Sequence, residues 1–359
     1  MSESTFNRRC EEAVVEITNA CNLRCPHCAS TSGCRREDEL KLDEFRRVMT
    51  DLAELGCWEV TLLGGEFVLR HDWPEVARAV KANGMELQII TNGILVTDQV
   101  RATLREIGPF GMGVSIDGAT RESYRQMRGV DGLDACLRLL DAFVEDRVPR
   151  VNAITTFNAK NLKDFDRFVE LFIDKPYNWQ IQMAHRGGER FPDDLLMTRG
   201  QYAELVDKAT PWLTADEERL HLVVMDDFGY FPMAPKLRKR CSFWGGCPAG
   251  TRVIGIRANG DLLPCLSLGD EFVDGNLRQR SLVDIWRDPD SFAAFRRKST
   301  CLTGRCAGCP HAEICKAGCS AMAHSQTGTL TETTFCIRQL EQDRILQEMA
   351  ICDGRGRSC

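Results

Sequence analysis

Two hydrophobic periods alternate along the first half of the chain, and their alternation predicts a parallel α/β fold. Ala13-Val14-Val15-Glu16-Ile17 is a short β-rich run that ends at a loop bearing cysteines. Beyond it, Leu42, Phe45, Val48, Met49, Leu52 and Leu55 recur at helical spacing on one face. Gly56 ends that helix, and Trp58-Glu59-Val60-Thr61-Leu62-Leu63 reads as a second strand. The same reading gives helix 74–81, strand 87–91, helix 97–107, strand 113–116, helix 133–144, strand 151–155, helix 162–173 and strand 179–183. Six strands separated by helices favour one parallel sheet with right-handed crossovers. Six units are too few to close an eight-fold barrel, so the expected fold is α/β: an open, partial (β/α)6 barrel of the TIM type, followed by a small cysteine-rich domain. The expected divisions are a barrel over 10–225, a linker over 226–240, a cysteine-rich domain over 241–340, and a C-terminal helix with a flexible tail over 341–359.

Composition narrows the class only slightly. With 359 residues, 43% hydrophobic and 27% charged, the chain suits an ordinary globular protein of one large domain plus a smaller one. A net charge of −6 leaves no electrostatic footprint for nucleic acid. No apolar run approaches a membrane span, and the opening MSESTFNRRCEE lacks an apolar signal core. A soluble, cytoplasmic protein with no nucleic-acid or membrane partner is therefore expected.

The 18 cysteines change the picture. A chain of this length needs no disulfide stapling and shows no export signal, so metal ligation is the better account. Cluster-bound thiolates also fit a reducing compartment. Cys21-Asn22-Leu23-Arg24-Cys25-Pro26-His27-Cys28 offers three thiolates and no fourth. A structural zinc site is normally closed by four ligands, whereas three ligands on a [4Fe–4S] cubane leave one iron open. Further polar motifs fall at the carboxyl ends of the next predicted strands, where barrels of this type place their chemistry. Gly64-Gly65-Glu66 follows the second strand, Thr91-Asn92-Gly93 the third, and Ser115-Ile116-Asp117-Gly118 the fourth. Paired glycines let a backbone approach a ligand closely, and Glu66 supplies an acceptor for a cationic amino group. Each motif alone is a common turn; their order at four successive strand ends is the stronger signal.

That order resembles the pattern of the radical S-adenosylmethionine (AdoMet) enzymes. The resemblance implies that the open iron chelates the amino and carboxylate groups of AdoMet. It further implies that Gly64, Gly65 and Glu66 hold the amino group, with Asn92, Ser115 and Asp117 near the ribose and methionyl parts. His27 stands where the family commonly has an aromatic residue against the adenine, and Arg128 is similar to an arginine that pairs with the AdoMet carboxylate. The implied activity is reductive cleavage of AdoMet to a 5′-deoxyadenosyl radical that removes a hydrogen atom from an unactivated carbon. One departure is Phe67, where the family usually has Pro; so large a side chain is expected to reshape the substrate mouth.

From Cys241 the sequence changes character. Cys241-x5-Cys247, Gly260-x4-Cys265, Cys306-x2-Cys309-x5-Cys315-x3-Cys319 and Cys336 supply eight thiolates, enough for two four-cysteine clusters or two zinc sites. The spacing, together with Asp274-Gly275-Asn276-Leu277 and the run 281–286, resembles the SPASM extension of radical AdoMet enzymes. By that resemblance Cys241, Cys247, Cys265 and Cys319 hold one auxiliary [4Fe–4S] cluster, and Cys306, Cys309, Cys315 and Cys336 hold another. Of the remaining cysteines, Cys57 and Cys136 sit among apolar positions and read as core. Cys10, Cys34, Cys301, Cys352 and Cys359 receive no role. The run Lys236-Leu237-Arg238-Lys239-Arg240 reads as a solvated loop or as an offset to cluster charge. Arg186-Gly187-Gly188, Asp226-Asp227 and Phe228-Gly229-Tyr230 are candidates to line a substrate entrance.

Two auxiliary clusters imply a net oxidation in which they take up the electron: a crosslink, dehydrogenation or decarboxylation of a ribosomally made peptide. About a dozen residues precede the first strand, too few for a leader-binding module, so leader recognition falls to a separate small protein or to the catalytic chain. A flavodoxin- or ferredoxin-type protein would donate the electrons. Sulfatase maturases share this architecture and commonly place Asp directly after the cysteine of Gly-x4-Cys, whereas Leu266 and Ser267 follow Cys265 here. Small-molecule or tetrapyrrole oxidases, and a non-catalytic iron–sulfur carrier or zinc-binding protein, stand as the alternatives. No residue is assigned from sequence to handle the substrate proton.

Overall fold

Seven parallel pairings account for most of the architecture. The computed structural model describes residues 9–225, 228–240 and 245–354, apart from the side chains of 239, 240 and 352–354. Strands β1 (Glu12–Glu16), β2 (Glu59–Leu63), β3 (Glu86–Thr91), β4 (Gly111–Ser115), β5 (Arg150–Phe157) and β6 (Asn178–Met183) pair in that order, all parallel. Helices α1 (Leu42–Glu54), α2 (Trp73–Ala82), α3 (Asp98–Ile107), α4 (Arg121–Arg128), α5 (Leu133–Glu145) and α6 (Phe165–Phe172) fall between them, and α7 (Arg199–Thr214) follows β6. The predicted stripe of α1 is the one it buries, through Phe45, Val48, Met49 and Leu52. All five residues of β4 but Ser115 are buried, as expected for a parallel strand covered on both faces.

The sheet does not stop at six strands. β7 (Leu222–Val224) adds in parallel to β6, and β8 (Val253–Ile256) adds in parallel to β1, so β8 and β1 to β7 make eight parallel strands. Antiparallel β9 (Asp261–Leu263) and β10 (Gly275–Asn276) complete the order β10-β9-β8-β1-β2-β3-β4-β5-β6-β7. Three residues are too few for β7 to show a period, and β8 lies in the stretch expected to form a separate unit. Its pairing satisfies the outer edge of β1, which would otherwise present unpaired backbone groups. The Glu11 and Glu12 amides donate to the Arg252 carbonyl at 2.7 and 3.1 Å. Buried Glu16 accepts from the Ala258 amide at 3.2 Å and pairs with Arg36 at 2.6 Å. The cysteine-rich segment is thus tied to the barrel by backbone hydrogen bonds and by the Arg252–Glu11 ion pair at 3.5 Å.

Two other segments depart from expectation. α4 carries only Tyr124 and Met127 as large apolar residues, which hides its period. It starts at a capping box formed by Thr120 and Ser123 and stops at Gly129, whose φ of 79° suits glycine. The run Pro235–Arg240 is a short helix rather than a loop. Phe228 belongs to the main core, its carbonyl accepting from the Tyr202 hydroxyl at 2.7 Å, and does not line an entrance; Asp226-Asp227 lies outside the described residues. Among the described residues no helix is long and apolar enough to cross a membrane.

Candidate active site

The loops at the carboxyl ends of β1 to β6 converge on one cavity of about 220 Å³. The first two are joined by backbone. The Gly65 amide donates to the Thr18 carbonyl and the Glu66 amide to the Ala20 carbonyl, both at 2.8 Å. A Cβ on Gly65 would fall on the Ala20 carbonyl oxygen, and one on Gly64 on that of Thr18, far inside contact distance. The paired glycines therefore let the second loop lie against the cysteine loop as well as face the cavity. Cys21, Cys25, Cys28, His27, Gly64, Gly65, Asn92, Ser115 and Arg128 all line this space.

Glu66 and Asp117 do not line it; they hold its walls. Glu66 is 1% exposed and accepts from the Thr91 hydroxyl at 2.7 Å and the Asn92 amide at 2.8 Å. Burial outweighs these donors and pushes its carboxyl up to about 7. The Asn92 side chain in turn donates to Asn22 of the cysteine loop at 2.8 Å. Asp117 is fully buried. Its Oδ2 lies 2.8 Å from His27 Nε2 and 2.5 Å from Arg128 Nη2, while Oδ1 accepts from the Thr156 amide at 2.7 Å. Burial acts to raise this carboxyl, but the Arg128 guanidinium, His27 and the amide prevail and hold it down at about 2. Asp117 thereby fixes two cavity residues that lie about 100 positions apart in sequence.

The cavity suits the group that the resemblance implies. A cation stands beside one of its three thiols, Arg128 Nη1 lying 3.7 Å from Cys25 Sγ. A cubane, which presents a separate iron to each thiolate, matches an all-sulfur set spread over a loop. His27 Nδ1 and Arg128 Nε are buried with no hydrogen-bond partner, and such orphaned groups mark places for a polar ligand.

The far wall was missed from sequence. Thr156, Gln182, His185, Arg190 and Ser267 line it. His185 stands just beyond β6, and burial pulls its pKa down to about 4, so the imidazole is neutral near pH 7. Its Nδ1 is buried without a partner. The strand-end rule that singled out the other loops also selects this residue. The adjoining Gly187-Gly188 pair, expected at a substrate entrance, does not line the cavity but braces the site: a Cβ on Gly188 would strike the Cys28 carbonyl. Glu189 and Arg190 donate to Thr31 and Ser32 of the cysteine loop at 2.9 and 2.7 Å, and the Arg186 amide donates to Ser325 at 2.8 Å. Phe67 is not at the mouth. It is 1% exposed, packed edge-to-face on Trp73 with ring centroids 4.9 Å apart.

The second cysteine field closes on itself. Cys306, Cys309, Cys315 and Cys336 line a hollow of about 110 Å³. Burial pushes their thiols up in three cases, Cys315 to about 12. Cys247, Cys265 and Cys319 pack together against Ala249, Leu263, Leu268, Phe295 and Ala321; Cys241 lies outside the described residues. Cys10, Cys57 and Cys136 are buried, whereas Cys34 and Cys301 are exposed.

Residues 15–172 match the model of the Radical SAM superfamily, and residues 247–310 match the SPASM iron-sulfur cluster-binding domain. The chain is 29% identical over 313 residues to the mycofactocin maturase MftC of Mycobacterium tuberculosis, covering 85% of this chain and 77% of that one. It is 29% identical over 337 residues to the AdoMet-dependent heme synthase of Methanosarcina barkeri (90% and 95% covered), and 26% identical over 353 residues to the PqqA peptide cyclase of Rhizobium meliloti (94% and 89%). The fold is shared with Streptococcus suis SuiB, solved bound to its precursor peptide SuiA: TM-score 0.74 at 18% identity, covering 92% of this chain and 76% of that one.

Proposed function

Since the chain belongs to the radical SAM superfamily and carries a SPASM domain, we propose that it oxidatively modifies a ribosomally made peptide by crosslinking, dehydrogenation or decarboxylation. In this reading Cys21, Cys25 and Cys28 hold the AdoMet-binding [4Fe–4S] cluster. Cys306, Cys309, Cys315 and Cys336 hold one auxiliary cluster, and Cys247, Cys265 and Cys319, with Cys241, hold the other. When bound, these groups supply the one-electron chemistry that removes an unactivated hydrogen atom and takes up the remaining electron.

The observation that carries the reading is a shared cavity. The three-cysteine loop borders it on one side, and Ser267, two residues beyond Cys265, borders it on another. A substrate held there lies between the radical-generating loop and an auxiliary loop. Arg128 and His27, fixed by Asp117, orient the AdoMet. Thr156, Gln182 and Ser267 offer hydrogen-bonding groups matched to peptide amides. His185 Nδ1, neutral and unpartnered, accepts the proton that a net oxidation releases. A flavodoxin- or ferredoxin-type donor completes the system, with leader recognition by a separate small protein or by the catalytic chain itself.

The similarity to a peptide cyclase supports the peptide; the similarity to a heme synthase favours an iron porphyrin as the second reading. Anaerobic co-expression with short peptides encoded beside its gene separates the two. A peptide that loses two hydrogens, or a carboxyl group, supports the first. Unmodified peptides together with turnover of an added iron porphyrin by the purified enzyme would overturn it.

A further inference from the structure

Lys298 is a buried cation with no carboxylate partner among the described residues. It is 1% exposed. Its Nζ donates to the Ser320 hydroxyl at 2.9 Å and reaches the Gly318 carbonyl at 3.4 Å, the residues on either side of Cys319. The Ser320 hydroxyl donates onward to Cys247 Sγ at 3.3 Å. On its other side the turn Lys298–Thr300 packs against the short helix Ala312–Cys315, which carries a thiol of the other set. An ammonium group taken out of water without an anion carries a large desolvation cost. Burial accordingly draws its pKa down, and the charges that act to restore it are those of Cys247, Cys319, Cys315 and Cys306, two thiols from each set.

We propose that Lys298 is a counter-cation shared by the two auxiliary clusters, holding both reduction potentials up so that the pair accepts an electron from the substrate side. This rests on the reading that the two thiol sets hold clusters. A fixed positive charge favours the more negative, reduced form of a nearby cluster, and a hydrogen bond to a ligating sulfur acts in the same direction. Lys298 does the first for both sets, and through Ser320 it also does the second for the set containing Cys247. No step is assigned to the lysine itself; it is a positioning residue for charge.

The test is a potentiometric titration, followed by electron paramagnetic resonance, of the anaerobically reconstituted full chain and its Lys298→Met and Lys298→Arg variants, with iron and sulfide content measured on each. Met fills the space without the charge. Lys298→Met is expected to keep its auxiliary clusters and to lower both midpoint potentials, each by about tenfold in the reduction equilibrium, or about 59 mV for one electron; Lys298→Arg is expected to restore most of that shift. Ser320→Ala, which keeps the lysine, is expected to lower only the potential of the cluster bound by Cys247; should Lys298→Met load poorly, Lys298→Gln, uncharged but still a hydrogen-bond donor, takes its place and is expected to lower both potentials. Fully loaded variants with unchanged potentials would overturn the proposal, and a shift in one cluster alone in Lys298→Met would overturn the sharing. Absence of auxiliary clusters from the wild-type chain would instead overturn the reading beneath it.

Discussion

The two cysteine fields use the same donor atom to different ends. The first presents three thiols on one loop, beside a cavity whose polar atoms Arg128 Nε and His27 Nδ1 lack partners. The second folds four thiols around a smaller hollow of their own, and a buried lysine is hydrogen-bonded on either side of Cys319, in its other thiol set. Cysteine content therefore does not decide between a reactive and a closed site. What decides is whether the thiols saturate their cluster and whether unsatisfied polar groups stand next to it.

The largest expected effect removes the first field. Cys25→Ala should abolish release of 5′-deoxyadenosine from reduced, reconstituted protein while the auxiliary signals persist; chromatography and iron analysis check this. Gly65→Ala should come close, because its Cβ would displace the Ala20 carbonyl and part the two loops. We expect AdoMet binding, measured by equilibrium dialysis, to fall by about 100-fold or more, on the scale of a lost orienting contact. Cys315→Ser sharpens the contrast from the other side: 5′-deoxyadenosine should still form, but the mass change in the peptide should vanish. Asp117→Asn should weaken AdoMet binding by about 10- to 100-fold, since His27 and Arg128 lose their shared anion.

The smallest effect is on acid stability. The folded-state carboxyl of Asp117 is held below its ordinary value, at about 2. The stability it contributes is complete above about pH 4 and is lost as pH falls through about 2, and it amounts to about 2 kcal/mol. Urea unfolding of the cluster-free protein at stepped pH should show this slope in the wild type and not in Asp117→Asn.

Legibility followed period and local spacing. The α1 stripe and the six strand centres could be read because their apolar positions repeat over several residues. β7, with three residues, and α4, with two large apolar residues, repeat too little to be seen. The pairing of β8 with β1 spans more than 200 positions and has no local trace. In the site, Cys21, Cys25, Cys28 and the Gly64-Gly65 pair were visible as motifs. The far wall was not: the strand-end rule could have selected His185 just beyond β6, but Arg190, later in that loop, and Ser267, from the cysteine-rich segment, reach the cavity only through the fold. Phe67 was misplaced because its burial depends on Trp73, a contact that no spacing announces.

The central claim, one open cluster beside closed ones, is tested most directly by adding AdoMet to the dithionite-reduced protein and recording the resonance spectrum of each cluster. The account predicts that AdoMet alters one cluster signal only, and that this response disappears in Cys25→Ala while the remaining signals stay unchanged. An AdoMet response that survives in Cys25→Ala, or none in fully loaded wild-type protein, would contradict it.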